Sequence, residues 1–214
     1  MKAMTVILAA GDFPRKGGTA WRLLAAAKRI VACDSAADAY RRCFRKWPDV
    51  VVGDFDSTVL SASSRTGAAL EGTSSTEFVR FTDQDTNDLE KAMAYCAKQG
   101  WRRPVIVGAT GKREDHTLGN VFRALAYGCE IVTDRGRFIP VRGKATIKVS
   151  KGAAVSIFAP DAKTRMTSKG LEWSLDEVRF CNLYCATLNR ATASRVTLTA
   201  TKPVSVFIEE RMAK

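Results

Sequence analysis

Two aspartates stand two residues apart behind a run of valines, in Val50-Val51-Val52-Gly53-Asp54-Phe55-Asp56-Ser57. The valines read as a buried strand that ends at Gly53. In an extended backbone residues i and i+2 point to the same side, so Asp54 and Asp56 share one small space and repel. Either something positive sits between them or one of them holds a proton. A second acidic group follows in TDQDTNDLEKA, residues 82–92, where Asp85 and Asp88 stand three apart at the start of a helix, on one face of its first turn. Capping that helix and complementing its dipole is the plain role for such residues. Four carboxylates around one point would instead suit a hard divalent cation such as Mg²⁺, which takes oxygen ligands and shares them with substrate phosphates.

A third stretch, GATGKREDHTLGN over residues 108–120, runs from a strand into a helix. Its small residues let backbone N–H groups approach a phosphate, and the helix start favours an anion. Lys112 and Arg113 add positive charge. The loop lacks the GxxxxGK[ST] spacing of a Walker A motif. His116 is the single histidine of the chain, so one chain cannot build a two-histidine metal site. As a residue it reads as a helix cap or a core histidine. A carboxylate metal site beside a cationic, glycine-bearing loop is equipment for a nucleoside triphosphate and phosphoryl-type transfer, where positioning and charge neutralisation do most of the catalysis.

The elements that must position these groups alternate strand and helix. The runs at 4–10, 30–33, 49–52, 104–108 and 130–133 read as strands, the short stretch 77–81 could be a fourth, and 21–29, 35–46, 88–99 and 117–127 read as helices; 61–72 is ambiguous. The helices at 88–99 and 117–127 carry apolar residues at i, i+3, i+4 and i+7, each followed by a glycine that can end it. Strands separated by helices predict a mainly parallel, covered sheet. The polar clusters at 11–12, 34, 54–56, 83–85 and 108–115 all follow predicted strands, and ligands of open α/β sheets bind outside the carboxyl ends of the strands. After Asp134 the texture changes. Residues 135–143 read as a connection, and 146–149, 154–158, 195–199 and 204–208 as short strands of a small antiparallel β domain. The predicted architecture is an α/β domain over 1–135 followed by a small all-β sandwich over 136–214.

Composition narrows the class. The chain has 214 residues, 46% of them hydrophobic, and carries 34 Lys+Arg against 22 Asp+Glu for a net charge of +12. The basic residues are scattered, and neither an RNA-binding signature nor helix-turn-helix spacing is present, so nucleic acid is not expected as the partner. No apolar run is long enough for a membrane span. The N-terminal run is short and lacks a small-residue cleavage site, which predicts a cytoplasmic protein. The six cysteines form no CxxC pair and read as free, buried thiols of a reducing compartment.

Together, GDFDS at 53–57, QDTNDLEKA at 84–92 and GATGKREDH with Asn120 resemble the N-terminal motifs of the thiamine pyrophosphokinase family. Gly170-Leu171-Glu172-Trp173-Ser174-Leu175 is similar to that family's GLxWxL segment, and Asn189 falls where the family has a Ser-Asn pair. The resemblance implies transfer of a pyrophosphoryl group from ATP to the thiamine hydroxyl, with Mg²⁺, in a homodimer whose thiamine pocket lies between subunits. It implies that Asp54, Asp56, Asp85 and Asp88 are the metal and phosphate-site acids. Gln84, Thr110, Arg113, Asp115, Lys112 and Asn120 would serve the triphosphate, with Asp34 at the family's Asp-Gly-Gly turn. Trp173, Leu188 and Asn189 would serve thiamine. The chain departs from the family pattern at Ser35-Ala36, Asn87, Glu172 and Leu188. Two other readings compete. Asp54-Phe55-Asp56-Ser57-Thr58 also fits the DxDxT motif of haloacid-dehalogenase-type phosphatases, with Asp54 as nucleophile, although here it follows the third strand rather than the first. The other is a basic binding module without catalysis.

Overall fold

The computed structural model describes residues 4–55, 75–81 and 85–210. Asp56, Gln84 and the ambiguous stretch 61–72 lie outside them. The chain divides into two compact units, Met1–Asn120 and Val121–Lys214.

In the first unit β1 (Thr5–Leu8), β2 (Arg29–Cys33), β3 (Val50–Gly53), β4 (Glu77–Arg80) and β5 (Val105–Val107) alternate with α1 (Thr19–Ala26), α2 (Ala36–Phe44) and α3 (Asp88–Lys98), and α4 (Glu114–Tyr127) begins near its end. β1 pairs with β2 on one side and β5 on the other, β2 pairs with β3 and β3 with β4, all in parallel. Val6, Ile7, Leu8, Val31, Ala32, Val51, Val52, Ile106 and Val107 are fully buried. This explains why these strands read as continuous apolar runs: a parallel sheet is covered on both faces. α3 places Leu89, Ala92, Met93 and Cys96 in that core. β1 sends the chain towards β2, whereas the chain reaches β5 only after β4, on β1's other side. The strand order therefore reverses beside β1, where α/β sheets open a crevice at their carboxyl edge.

The second unit contains β6 (Glu130–Val132), β7 (Gly136–Lys148), β8 (Ala154–Phe158), β9 (Met166–Lys169), β10 (Ala186–Arg190) and β11 (Arg195–Glu209). Its described pairings are antiparallel. β7 and β11 pair along nearly their whole length, and their register shifts between Ala200 and Val204. On its other edge β11 carries β9 along Thr197–Ala200 and β8 along Ser205–Ile208. One cluster including Val155, Ile157, Phe180, Val196, Leu198, Val204 and Val206 fills the interior.

The stretch 135–143, expected as a connection, is instead the first half of β7. Its proline and glycines read as turn residues, yet each fits the strand. Pro140 falls past the end of β6, which pairs with Arg137 and Phe138, so the strand tolerates its missing donor there. Gly143 takes φ +72° opposite Ala200, where the register shifts. The expected strands 195–199 and 204–208 are likewise halves of one strand.

Gly170 has φ +85°, and a side chain there would run into the Arg195 carbonyl oxygen. Gly170→Ala combines a left-handed backbone with a backbone clash and should destabilise the protein by roughly 2 kcal/mol or more, read as a lowered urea midpoint followed by circular dichroism.

Candidate active site

A cleft of about 300 Å³ opens at the carboxyl edge of the first unit's sheet. Its walls come from the loop after β1 (Ala9, Ala10, Gly11), from Cys33 at the end of β2, from the start of α3 (Asn87, Asp88, Leu89), and from the loop after β5 with the first turns of α4. The loops after β1 and β5 are tied to each other. The Gly11 N–H donates to the Gly108 carbonyl at 2.7 Å, and the Asp12 N–H to the Thr110 carbonyl at 2.8 Å. A side chain on Gly11 would collide with both of those carbonyls, so glycine permits the approach.

On the cationic side, Lys112 Nζ donates to the Ala10 carbonyl at 2.7 Å, and Gly111 and Lys112 both turn through positive φ. Arg113 and Asp115 are exposed and pair with each other: Arg113 Nη2 reaches Asp115 Oδ2 at 2.6 Å and Nε reaches Oδ1 at 3.1 Å. The hydrogen bonds from Arg113 hold the Asp115 carboxyl down at about 2. Asp115 therefore orients Arg113, while Arg113, Lys112 and His116 line the cleft. Thr110 meets the first loop through its carbonyl.

On the acidic side, Asp34 is buried at the end of β2, and its N–H donates to the Val52 carbonyl at 2.8 Å. Gly53 lets the third strand close against it, since a Cβ there would lie 2.8 Å from the Asp34 Cβ. Asp54 follows. Burial pushes the Asp88 carboxyl above its ordinary range; Lys91 opposes that, and the charge of Asp54 adds to it. The fold thus brings Asp54 and Asp88 together, although they come from different strand-helix crossovers. Asp85 is exposed, three residues before α3 begins.

Asn120, expected to serve the phosphates, has an internal task. It is buried, its Nδ2 donates to the Ala109 carbonyl at 2.9 Å, and its Oδ1 accepts from Asn87 Nδ2 at 3.2 Å. Asn87 in turn caps α3, its Oδ1 accepting from the Glu90 N–H at 2.9 Å. A chain of amides therefore couples the helix that carries Asp88 to the loop that carries Lys112 and Arg113. Lys91 was not picked out from sequence. It is buried, with Nζ 3.6 Å from Asp88, and its signal was its i, i+3 spacing from Asp88 on an otherwise apolar face.

In the second unit, Trp173 and Leu188 are 56% and 88% exposed, and Leu188 has φ +67°. Asn189 is buried beneath them. Its Nδ2 donates to the Trp173 carbonyl at 2.8 Å and its Oδ1 accepts from the Trp173 N–H at 3.2 Å, so Asn189 holds the tryptophan's backbone as a neighbouring strand would.

A family model described as "Thiamin pyrophosphokinase, catalytic domain" matches residues 20–132, and one described as "Thiamin pyrophosphokinase, substrate-binding domain" matches residues 136–207. The chain belongs to the thiamin pyrophosphokinase family. Thiamin pyrophosphokinase 1 of Caenorhabditis elegans is 31% identical over 103 residues, which span 44% of this chain and 39% of that relative, well under two thirds of its length. Among solved structures, the Bacillus subtilis thiamine pyrophosphokinase is 19% identical with a TM-score of 0.73, covering 98% of this chain and 100% of the other. The Geobacillus thermodenitrificans enzyme is 22% identical with a TM-score of 0.74, covering 99% of each. The Candida albicans enzyme is 14% identical with a TM-score of 0.74, covering 97% of this chain and 90% of the other. At such identities the likeness speaks for the fold. Neither the haloacid-dehalogenase reading nor the binding-module reading matches the thiamin pyrophosphokinase family to which the chain belongs.

Asn120→Ala leaves the buried Ala109 carbonyl without its donor and should lower stability by about 1–3 kcal/mol. The same change frees the loop after β5, so nucleotide affinity should fall as well, which calorimetric titration of ATP would read.

Proposed function

We propose that this chain transfers a pyrophosphoryl group from ATP to the hydroxyl of thiamine, giving thiamine diphosphate and AMP. Family membership along both halves of the chain supports the reaction class. The observation that carries it to these residues is the cleft itself, where Asp88, with Asp54 beside it, shares walls with Lys112, Arg113 and the glycine-bearing loop.

The donor chemistry fits Mg²⁺. Asp54 and Asp88 offer hard oxygen ligands whose mutual repulsion a cation relieves, with Asp56 and Asp85 as further ligands in this proposal. Among the described residues no three acidic, cysteine or histidine side chains converge as a metal group, and Mg²⁺ commonly takes the rest of its shell from phosphates and water. When bound, the cation neutralises the phosphate oxygens. The chain's own residues do the rest. Backbone N–H groups at residues 108–113 and the start of α4 receive the phosphates, together with Thr110 and Gln84. Lys112 and Arg113 stabilise charge on the groups transferred and released. Asp34 holds the third strand's end, and Asn120 sets the loop. The thiamine hydroxyl attacks the β-phosphorus and gives its proton to solvent, the bond from that phosphorus to the oxygen bridging it to the α-phosphorus breaks, and AMP leaves.

The second unit, read as a β-sandwich over residues 136–214, offers the acceptor site. Trp173 presents an aromatic face to the cationic ring system of thiamine, Asn189 fixes its backbone, and Leu188 flanks it. In this proposal residues 1–135 form the catalytic domain, the active site is completed between two subunits of a homodimer, and the protein works in the cytoplasm.

Mass spectrometry after mixing the protein with ATP, Mg²⁺ and thiamine tests the reaction. Thiamine diphosphate with AMP is expected. ADP with thiamine monophosphate would show that a different phosphorus is attacked, and no thiamine product would overturn the acceptor. Asp54→Asn should lower turnover by at least ~100-fold, the scale of losing one charge partner of the transition state. A near-normal rate would remove Asp54 from the metal site.

A further inference from the structure

The cysteines are not all buried, as the sequence suggested. Cys33, Cys96 and Cys129 are buried, whereas Cys43 and Cys181 are exposed and Cys185 is half-buried. Burial raises the thiol of Cys33 well above its ordinary value and that of Cys129 to about 11, so both are poor nucleophiles.

Cys181 and Cys185 form a different environment. Their sulfurs face each other at 3.3 Å across the turn that leads into β10. Asn182 builds this turn: its Oδ1 accepts from the Tyr184 N–H at 3.1 Å and from the Cys185 thiol at 3.2 Å, and its own N–H donates to the Cys185 Sγ at 3.4 Å. A disulfide needs an S–S distance of about 2 Å, a gap that rotation of two side chains on an exposed turn can close.

We propose that Cys181 and Cys185 are a reversible dithiol–disulfide site that exchanges with small disulfides such as oxidised glutathione. The Asn182 N–H and the Cys181 thiol hold the Cys185 thiol below its ordinary value, while the hydrogen bond with Cys185 raises Cys181. Cys185 is therefore the attacking sulfur. As thiolate it displaces one glutathione from the disulfide and becomes a mixed disulfide. Cys181 then loses its proton, attacks the Cys185 Sγ and displaces the second glutathione. The two cysteines are oxidised, one glutathione disulfide is reduced to two thiols, and the two protons go to those thiols. The loop so closed abuts Ala186, where β10 shifts register against β8 before Asn189. The redox state of the pair is thus set next to the residue that holds the Trp173 backbone. The inference rests on the geometry of the turn and not on the proposed transfer reaction.

The full-length protein is equilibrated with oxidised or reduced glutathione, alkylated without denaturation and digested with trypsin. Arg179 and Arg190 place both cysteines on one peptide, 180–190. In oxidised glutathione that peptide should escape alkylation and weigh less by two hydrogens. Alkylation should shrink from Cys43, Cys181 and Cys185 to Cys43 alone, and reduced glutathione should restore it. Cys181→Ser, with circular dichroism unchanged, should accumulate a glutathione adduct on Cys185. Double alkylation of the peptide in oxidised glutathione, a lasting wild-type adduct with Cys181 still alkylated, or a bond between two chains would overturn the proposal.

Discussion

Like charges held out of water are the constraint on which this structure turns. Asp54 ends one crossover and Asp88 begins a helix from another, and burial, with the charge of Asp54 added to it, makes Asp88 harder to ionise. Lys91, buried on the same helix, answers part of that charge. A fold can keep such an arrangement only if its backbone is rigid there. The parallel strands β1, β2, β3 and β5, buried on both faces, supply that rigidity, and the reversal of strand order beside β1 opens the space in which Asp88 shares walls with a cationic loop.

Uncharged amides hold the site's parts in register. Asn87 and Asn120 join the first turn of α3 to the loop after β5 through three hydrogen bonds. In the second unit Asn189 does the same for the backbone of Trp173. An amide can donate and accept at once, so it satisfies buried backbone groups without adding charge to a site already crowded with it. Charge in the first unit's cleft is left to Asp88, Lys112 and Arg113, which line its walls.

Much of this was legible in the sequence. β1, β2, β3 and β5 were readable because burial on both faces leaves them almost wholly apolar, and the order of polar clusters after them marked the edge at which the cleft opens. The pairing of Asp54 with Asp88 followed from that edge. The internal roles of Asn120 and Asn189 did not, because an asparagine in a motif looks the same whether it meets a ligand or a carbonyl. Lys91 was hidden by the apolar residues around it. In the second unit, Pro140 and Gly143 suggested a connection, and only pairing with β11 across some sixty residues makes one strand of it. β9 and β10 were missed because their short, mixed sequences carry no period of their own.

The central claim is that Asp54 and Asp88 bind nucleotide through a shared cation, and a coupling measurement addresses it most directly. ATP affinity is measured by calorimetry with Mg²⁺ and with a chelator, for the wild-type chain and for Asp54→Asn. The account predicts that removing Mg²⁺ weakens ATP binding strongly in the wild type and little in the variant, because the variant has already lost the cation's ligand. Equal losses in the two proteins would contradict it.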